Sequence, residues 1–216
     1  MFEEKNVTNY LAEMAQKSII QREKLARKEL EEYLVSVGKC TNAEMEELMQ
    51  HFEFVSANKN QIIIDKDEVI EHFYYIYEGI VKIYYYYNEK QVIERFENEK
   101  GFFGGNFSHL TKVKGTHVYE AVENTSLLRI RQADLEILCQ KSHNIEHTYR
   151  VSLENFHANF VRRLTYFKSF NAEEKYREFV QNYGDILNRV NLKDVANYLD
   201  ITPETLSRVR ANFDKR

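Results

Sequence analysis

The sequence contains no tryptophan, one proline, two cysteines and seven glycines among its 216 residues. Cys40 and Cys139 stand far apart and outside any ligand-spaced cluster, which argues against a disulfide framework and an iron–sulfur cluster. No apolar run reaches the roughly 18 residues that a membrane helix needs, and the N-terminus lacks the layout of a secretory signal. We therefore expect a reduced, cytoplasmic protein that does not enter a membrane.

The composition indicates a folded chain with a polar surface. Hydrophobic residues make up 43% of the sequence, including 15 tyrosines and 14 phenylalanines, which argues against disorder. The formal net charge of −4 argues against a wholly basic nucleic-acid binder. Between Leu187 and Arg216, however, six basic residues outnumber four acidic ones, so the C-terminal part is locally basic.

The periodicity of the apolar residues changes twice along the chain. The first 50 residues are rich in helix formers, and from about Phe52 short runs of Ile, Val, Tyr and Phe alternate with turn residues. Gly79 is predicted to adopt a positive φ between two strands, and the strands together indicate a compact β barrel or roll. Helical periodicity returns after Arg131. The predicted fold class is α+β, in four parts: helices over 1–50, a β-roll over 51–142, a long helix over 143–169 and a helical unit over 170–216.

The long helix carries one apolar stripe. Its members recur at steps of three and four residues and so share one face over about 30 Å. This face packs within its own domain or against a second copy of the chain, and we predict a homodimer. The stripe comprises Tyr149, Leu153, Phe156, Phe160 and Leu164, with Phe167 continuing it.

The segment "VANYLDITPETLSRVR", Val195–Arg210, has the pattern of two short helices joined by a tight turn. Ala196 is small enough for the helices to cross closely, and Asp200 tolerates the left-handed conformation that the turn needs. Thr202 is a suitable helix cap, and Pro203 suits the first position of the second helix. The remaining pattern positions are apolar: Val195, Leu199, Ile201, Leu206 and Val209. This is a helix-turn-helix layout, and the alternative is a plain helical hairpin.

On these residues, "VNLKDVANYLDITPETLSRVR" resembles the helix-turn-helix of the Crp/Fnr family of bacterial transcription regulators. The preceding "NAEEKYREFVQNYGDILNRV" resembles the lead-in segment of a Bacteroidetes-type subgroup, and "HFYYIYEGIVKIYYYY" resembles the strand–Gly–strand element of the family's β-roll. The resemblance covers about Phe52 to Arg210. It implies a cyclic-nucleotide-binding-type β-roll (a double-stranded β-helix), a long dimerisation helix and a C-terminal winged helix-turn-helix. The chain stops soon after Phe213, so any wing should be small.

The stretch "ETLSR" carries the Glu-x-x-Ser-Arg arrangement of the family's Fnr branch, which implies base contacts by Glu204, Ser207 and Arg208. Arginine donates to guanine O6 and N7, and glutamate accepts from cytosine N4. The partners implied are double-stranded DNA with an inverted-repeat promoter site, RNA polymerase and a second copy of the chain. Contacts to the DNA backbone are expected from Lys193, Thr202, Thr205, Arg210, Lys215 and Arg216.

The family's nucleotide pocket uses a Gly-Glu pair for the ribose and an Arg for the cyclic phosphate. In "FFGGNFSHLTKVKGTHVYEAVE" the Glu position falls on Gly105 and the Arg position at about Gly115, so cyclic AMP is not the expected effector. Any effector would then be a different, unidentified small molecule, in a pocket predicted from Phe103, Gly104, Gly105, Asn106, Lys114 and Thr116. No cofactor is expected, and no metal site, since His143 and His147, four residues apart, are typical of a solvated helix face.

Two other classes of protein use a β-roll. A small-molecule-binding or protein-interaction module would have the same β-roll and a helical tail that does not contact DNA. An enzyme of the cupin type would need a His/Glu metal cluster on adjacent strands, and no such spacing occurs in the sequence. We therefore predict a regulator and not an enzyme.

Overall fold

The computed structural model describes residues 2–104 and 111–213, with side chains of the first helix from Gln16 onward. It confirms the α+β class: helices precede a β-roll, which a long helix joins to further helices. None of the described helices is long and apolar enough to cross a membrane. The elements are α1 (Phe2–Val37), α2 (Asn42–Gln50), β1 (Glu53–Ala57), β2 (Ile62–Ile64), β3 (His72–Glu78), β4 (Val81–Tyr87), β5 (Lys90–Glu97), β6 (Phe102–Gly104), β7 (Val118–Ala121), β8 (Thr125–Arg131), α3 (Gln132–Lys141), α4 (His143–Ser169), α5 (Ala172–Tyr183), a 3-10 turn (Gly184–Ile186), α6 (Leu192–Tyr198) and α7 (Pro203–Phe213).

Two four-stranded antiparallel sheets form the roll. The first has the order β1-β8-β3-β6 and the second the order β2-β7-β4-β5. Between them lies an apolar core that includes Ile76, Val81 and Leu127. Gly79, in the β3–β4 turn, has the predicted positive φ, at 109°. A Cβ atom there would lie 2.4 Å from the Thr125 Oγ1, so both the conformation and the close approach require glycine.

The N-terminal helical part consists of two helices, α1 and α2, whose apolar faces pack against the first sheet. Leu30 of α1 and Leu48 of α2 are buried with Leu128 of β8 in one cluster. The Arg27 guanidinium donates to the Met49 and Phe52 carbonyls, each at 2.8 Å. These carbonyls lie at the end of α2, where backbone acceptors have no partner within the helix. Arg27 therefore ties the two helices together.

The C-terminal helices share a core with the roll. Phe179 of α5, Val195 of α6 and Leu206 of α7 are buried together with Ile93 and Phe96 of β5. Helix α4 ends at Ser169, and the domain boundary near residue 170 stays a prediction. The helical unit beyond it nevertheless packs on the outer face of the second sheet. The described residues after Arg131 form no strand, so the wing implied by the resemblance has no strand among them.

Glu44 joins α2 to the start of α4. Its carboxylate accepts from the Ser142 hydroxyl at 2.5 Å and from the Asn144 amide at 3.1 Å. It also completes a capping box with Thr41, whose backbone N–H donates to it at 2.8 Å. The hydrogen bonds from Ser142, Thr41 and Asn144 lower the pKa of Glu44 to about 2. The ionised form is therefore the one that the fold prefers.

This shift predicts a pH-dependent contribution to stability. Because the folded pKa of about 2 lies below the ordinary glutamate pKa of 4.5, the stabilisation is present above pH 4.5 and is lost as the pH falls towards 2. Glu44→Gln should lower the free energy of unfolding at pH 7, and its difference from the parent chain should shrink below pH 4.5. Urea denaturation at several pH values measures this. Glu46→Gln, on the exposed side of α2, is the control; a Glu44 effect that does not change with pH would contradict the assignment.

Candidate nucleic-acid interface and effector cavity

Helices α6 and α7 form the two-helix corner that the sequence predicts. Val195, Ala196 and Leu206 are at most 2% exposed and pack where the helices cross. Asp200 has φ 54°, the left-handed conformation expected for the turn. The Ile201 N–H donates to the Ala196 carbonyl at 3.1 Å and closes the turn. The corner therefore holds α7 rigidly against α6.

Helix α7 presents its polar residues to solvent. The Thr202 hydroxyl accepts from the Thr205 N–H at 3.2 Å and caps the helix. Glu204, Ser207 and Arg208 are exposed, and the structure brings them together on one face. Hydrogen bonds from its own backbone N–H and from the Thr202 hydroxyl, with the charge of Arg208, lower the pKa of Glu204. This face thus offers one carboxylate, one hydroxyl and one guanidinium.

The residues predicted to contact the DNA backbone are distributed over both helices. Lys193 and Thr202 are exposed, whereas Thr205 and Arg210 are half-buried. Arg208 donates to the Thr205 hydroxyl at 3.4 Å. Lys215 and Arg216 lie outside the described residues.

Polar contacts that the sequence did not predict fasten the corner to the roll. The Asn197 amide of α6 donates to the Gln91 carbonyl at 2.8 Å, and its oxygen accepts from the Ile93 N–H at 2.7 Å. Strand β5 is the edge of its sheet, so these backbone groups have no neighbouring strand to pair with. Asn197 therefore supplies the missing donor and acceptor.

Ion pairs flank this contact. Arg189, before α6, donates to Glu99 at 2.5 Å and also pairs with Glu123. Lys82 of β4 lies 3.4 Å from Glu120 and 3.5 Å from Asp194, the latter in α6. The periodicity of the sequence does not predict these ion pairs, because each pair joins residues from separate elements.

The apolar stripe of α4 is only partly covered in the single chain. At its start Tyr149 packs edge-on against Phe73, with ring centroids 5.8 Å apart, and Leu153 is half-buried. Further along, Phe156, Phe160 and Leu164 are 41%, 44% and 48% exposed. One half of the stripe therefore packs on the roll, and the other half faces solvent.

A cavity of about 800 Å³ lies between the roll and α4. Strands β3, β5, β6 and β7 form one side, and the stripe of α4 from Tyr149 to Phe160 forms the other. Of the residues predicted for an effector pocket, Phe103 and Gly104 line this cavity. Lys114 and Thr116 are exposed and lie outside the lining, while Gly105 and Asn106 fall outside the described residues.

The charged residues of the cavity were not predicted from the sequence. Arg95 is 7% exposed, and its guanidinium donates to Glu94 at 2.6 Å and to Glu97 at 2.8 Å. His117 lies 2.7 Å from the second oxygen of Glu94. Burial raises the pKa of Glu94, but the His117 hydrogen bond and the Arg95 charge outweigh it and lower the pKa to about 2. Burial is the largest influence on Glu97 and raises its pKa.

The sequence profile of the cyclic nucleotide-binding domain matches residues 54–142. This segment has the cyclic nucleotide-binding fold. No curated protein sequence matches the chain. The profile covers the strands of the roll and α3. The division of the chain at residues 51 and 142 stays a prediction.

Solved structures extend the likeness beyond the cyclic nucleotide-binding fold. FixK2 from Bradyrhizobium japonicum matches with TM-score 0.64 and 19% identity, over 76% of this chain and 85% of that one. CLP from Xanthomonas campestris, described as a c-di-GMP responsive global regulator, matches with TM-score 0.63 and 13% identity, over 81% and 92%. A mutant of CooA from Carboxydothermus hydrogenoformans has TM-score 0.61 and 16% identity, over 78% and 79%. The fold therefore includes the roll, the long helix and the C-terminal helices.

The residues of the cavity do not fit a cyclic nucleotide. A cyclic phosphate needs a free cationic partner inside the cavity, and Arg95 already donates to two carboxylates. Lys100, the other Lys or Arg among the described lining residues, is exposed to solvent. Gly115, at the position where the family has an Arg, instead pairs its backbone with residues 67 and 68. Lys114 beside it points to solvent, outside the cavity.

We accordingly expect no binding of cyclic AMP or cyclic GMP at micromolar concentrations. Either nucleotide would have to displace a carboxylate from Arg95 and leave that carboxylate unpaired. Isothermal titration of the full chain measures this directly. A clear micromolar isotherm with either nucleotide would show that the cavity accepts an anionic phosphate after all.

Proposed function

We propose that the protein is a DNA-binding transcription regulator of the Crp/Fnr type, which acts as a homodimer on an inverted-repeat site. One observation carries the proposal: Glu204, Ser207 and Arg208 share the exposed face of a capped helix that a buried corner holds in place. A helix of this kind fits the major groove, where Arg208 can donate to guanine and Glu204 can accept from cytosine. RNA polymerase is the further partner proposed.

The second copy is proposed from the uncovered half of the α4 stripe. Phe156, Phe160, Val161 and Leu164 are between 41% and 48% exposed on a helix of 27 residues. Burial of a large apolar side chain contributes roughly 1.5–3 kcal/mol, so a symmetric seam along this stripe would be strongly stabilising. A dimer of this type sets its recognition helices about 34 Å apart, one turn of DNA. Its half-sites would then lie about ten base pairs apart.

Disruption of the seam should give monomers. The parent chain should have twice the mass of 25.9 kDa in light scattering. Phe160→Glu would place two carboxylates in an apolar seam, at a cost of several kcal/mol, and should halve the measured mass. Ala158→Glu, on the opposite side of α4, is the matched control and should remain dimeric. A monomeric parent chain would rule out this seam.

Two substitutions separate base contacts from backbone contacts. Arg208→Ala should cost about 1–3 kcal/mol per half-site and relax the preference at one G·C pair. Lys193→Ala should weaken binding to all duplexes alike and reduce the salt dependence by about one phosphate contact. Selection from random duplexes, followed by titration with the selected and a scrambled site, measures both effects. If Arg208→Ala kept the parent's ratio between the two sites, Arg208 would not contact a base.

The selection experiment also tests the competing function. If no duplex is enriched by the dimeric parent chain, the helical tail does not contact DNA. The chain would then be a small-molecule-binding or protein-interaction module built on the same roll.

A further inference from the structure

The cavity between the roll and α4 has a lining that specifies the chemistry of its occupant. We infer that it binds a neutral molecule with one or more aromatic rings, and not a nucleotide or another anion. That this ligand is the effector of a regulator rests on the proposed function. The binding event itself depends on the cavity alone.

Phe and Tyr are the most frequent residue types among the described residues that line the cavity, with ten of 28 positions. On the roll side Tyr74 and Phe103 stack with centroids 4.7 Å apart and an interplanar angle of 1°. Phe103 stacks in turn on Tyr119, at 5.6 Å and 24°. On the helix side Phe156 lines the same cavity. An aromatic ring that enters the cavity can pack against these aromatic side chains and bury its own apolar surface.

The charges within the lining are already paired with one another. Arg95 is held by Glu94 and Glu97, and Glu94 is also bonded to His117. Of the Lys, Arg, Asp and Glu residues that the structure describes in the lining, Lys100 is the one outside this network, and it is exposed to solvent. An anionic ligand would therefore compete with two carboxylates for one guanidinium, and a cationic ligand would compete with Arg95 for those carboxylates. Breaking a buried pair leaves an uncompensated charge, so a neutral ligand is favoured over both.

The volume agrees with this class of ligand. About 800 Å³ lies in the range of ordinary small-molecule sites. Helix α1 contributes Tyr33 and Leu34 to the lining, and α2 contributes Leu48, which are apolar or aromatic side chains. The N-terminal helices thus lengthen the apolar part of the cavity rather than adding a site for a phosphate.

Two fluorescent probes that differ by one anionic group test the inference. N-phenyl-1-naphthylamine is neutral, and 1-anilinonaphthalene-8-sulfonate is the same ring system with a sulfonate. The full-length chain should bind the neutral probe with micromolar affinity and the sulfonate at least tenfold more weakly. Equal affinities, a preference for the sulfonate or no binding of the neutral probe would each overturn the inference.

Substitutions locate the probe and test the role of charge. Ser152→Phe adds bulk to the α4 side of the lining and should weaken the neutral probe at least tenfold, whereas His143→Phe, at the exposed start of α4, should not. Glu94→Gln leaves Arg95 with one carboxylate fewer and should shift the preference several-fold towards the sulfonate. Glu71→Gln, on an exposed loop, is its control. Thermal melts and light scattering establish that each variant is folded and has the parent's mass.

The outcomes for the cavity and for DNA are independent. A chain that enriches a duplex but does not bind the neutral probe loses this inference and keeps the proposed function. A chain that binds the probe as described but enriches no duplex loses the proposed function, and the ligand class still stands. If Ser152→Phe leaves the probe affinity unchanged, the probe binds elsewhere and the inference is wrong.

Discussion

Strand β5 is the constraint on which the rest of the structure depends. It is the edge of the second sheet, so its outward N–H and C=O groups need partners from outside the sheet. Asn197 of α6 provides a donor and an acceptor, and Arg163 of α4 donates to the Glu94 carbonyl at 2.6 Å. The long helix and the helix-turn-helix are thereby both fastened to one strand. The edge is covered without any further strand.

The two faces of β5 serve different parts of the molecule. Ile93 and Phe96 enter the core shared with the C-terminal helices, whereas Arg95 and Glu97 line the cavity. Both apolar residues point the same way although they are three apart, because the pairing of β4 with β5 shifts by one residue between Ile83 and Tyr84. The cavity and the C-terminal helices α5 to α7 are therefore separated by a single strand. A displacement of β5 changes contacts on both faces.

Local patterns predicted most of the elements and the corner correctly. These features are set by residues that lie close together in the sequence. They are the positive φ of Gly79 and Asp200, the cap at Thr202 and the buried positions of α6 and α7. The cavity was harder to predict. Phe103 and Gly104, which were chosen by likeness to a family motif, line the cavity, whereas Lys114 and Thr116 follow them in that motif and lie outside it. The charged network of Arg95 with its two carboxylates gave no signal, because an alternation of charged residues is equally typical of a solvated strand.

The sequence by itself determined the order of helix, roll and helix, the stripe of α4 and the polar face of α7, since each is a periodic arrangement of side chains on one element. The tertiary structure alone decided where the C-terminal helices α5 to α7 pack and which side chains line the cavity. Asn197 and Gln91 are 106 residues apart, and Arg189 and Glu99 are 90 apart. Contacts between residues this far apart do not produce a periodic pattern in the sequence, so the sequence alone does not predict them. They form because a buried or edge-strand polar group must find a partner wherever the fold brings one within hydrogen-bonding distance.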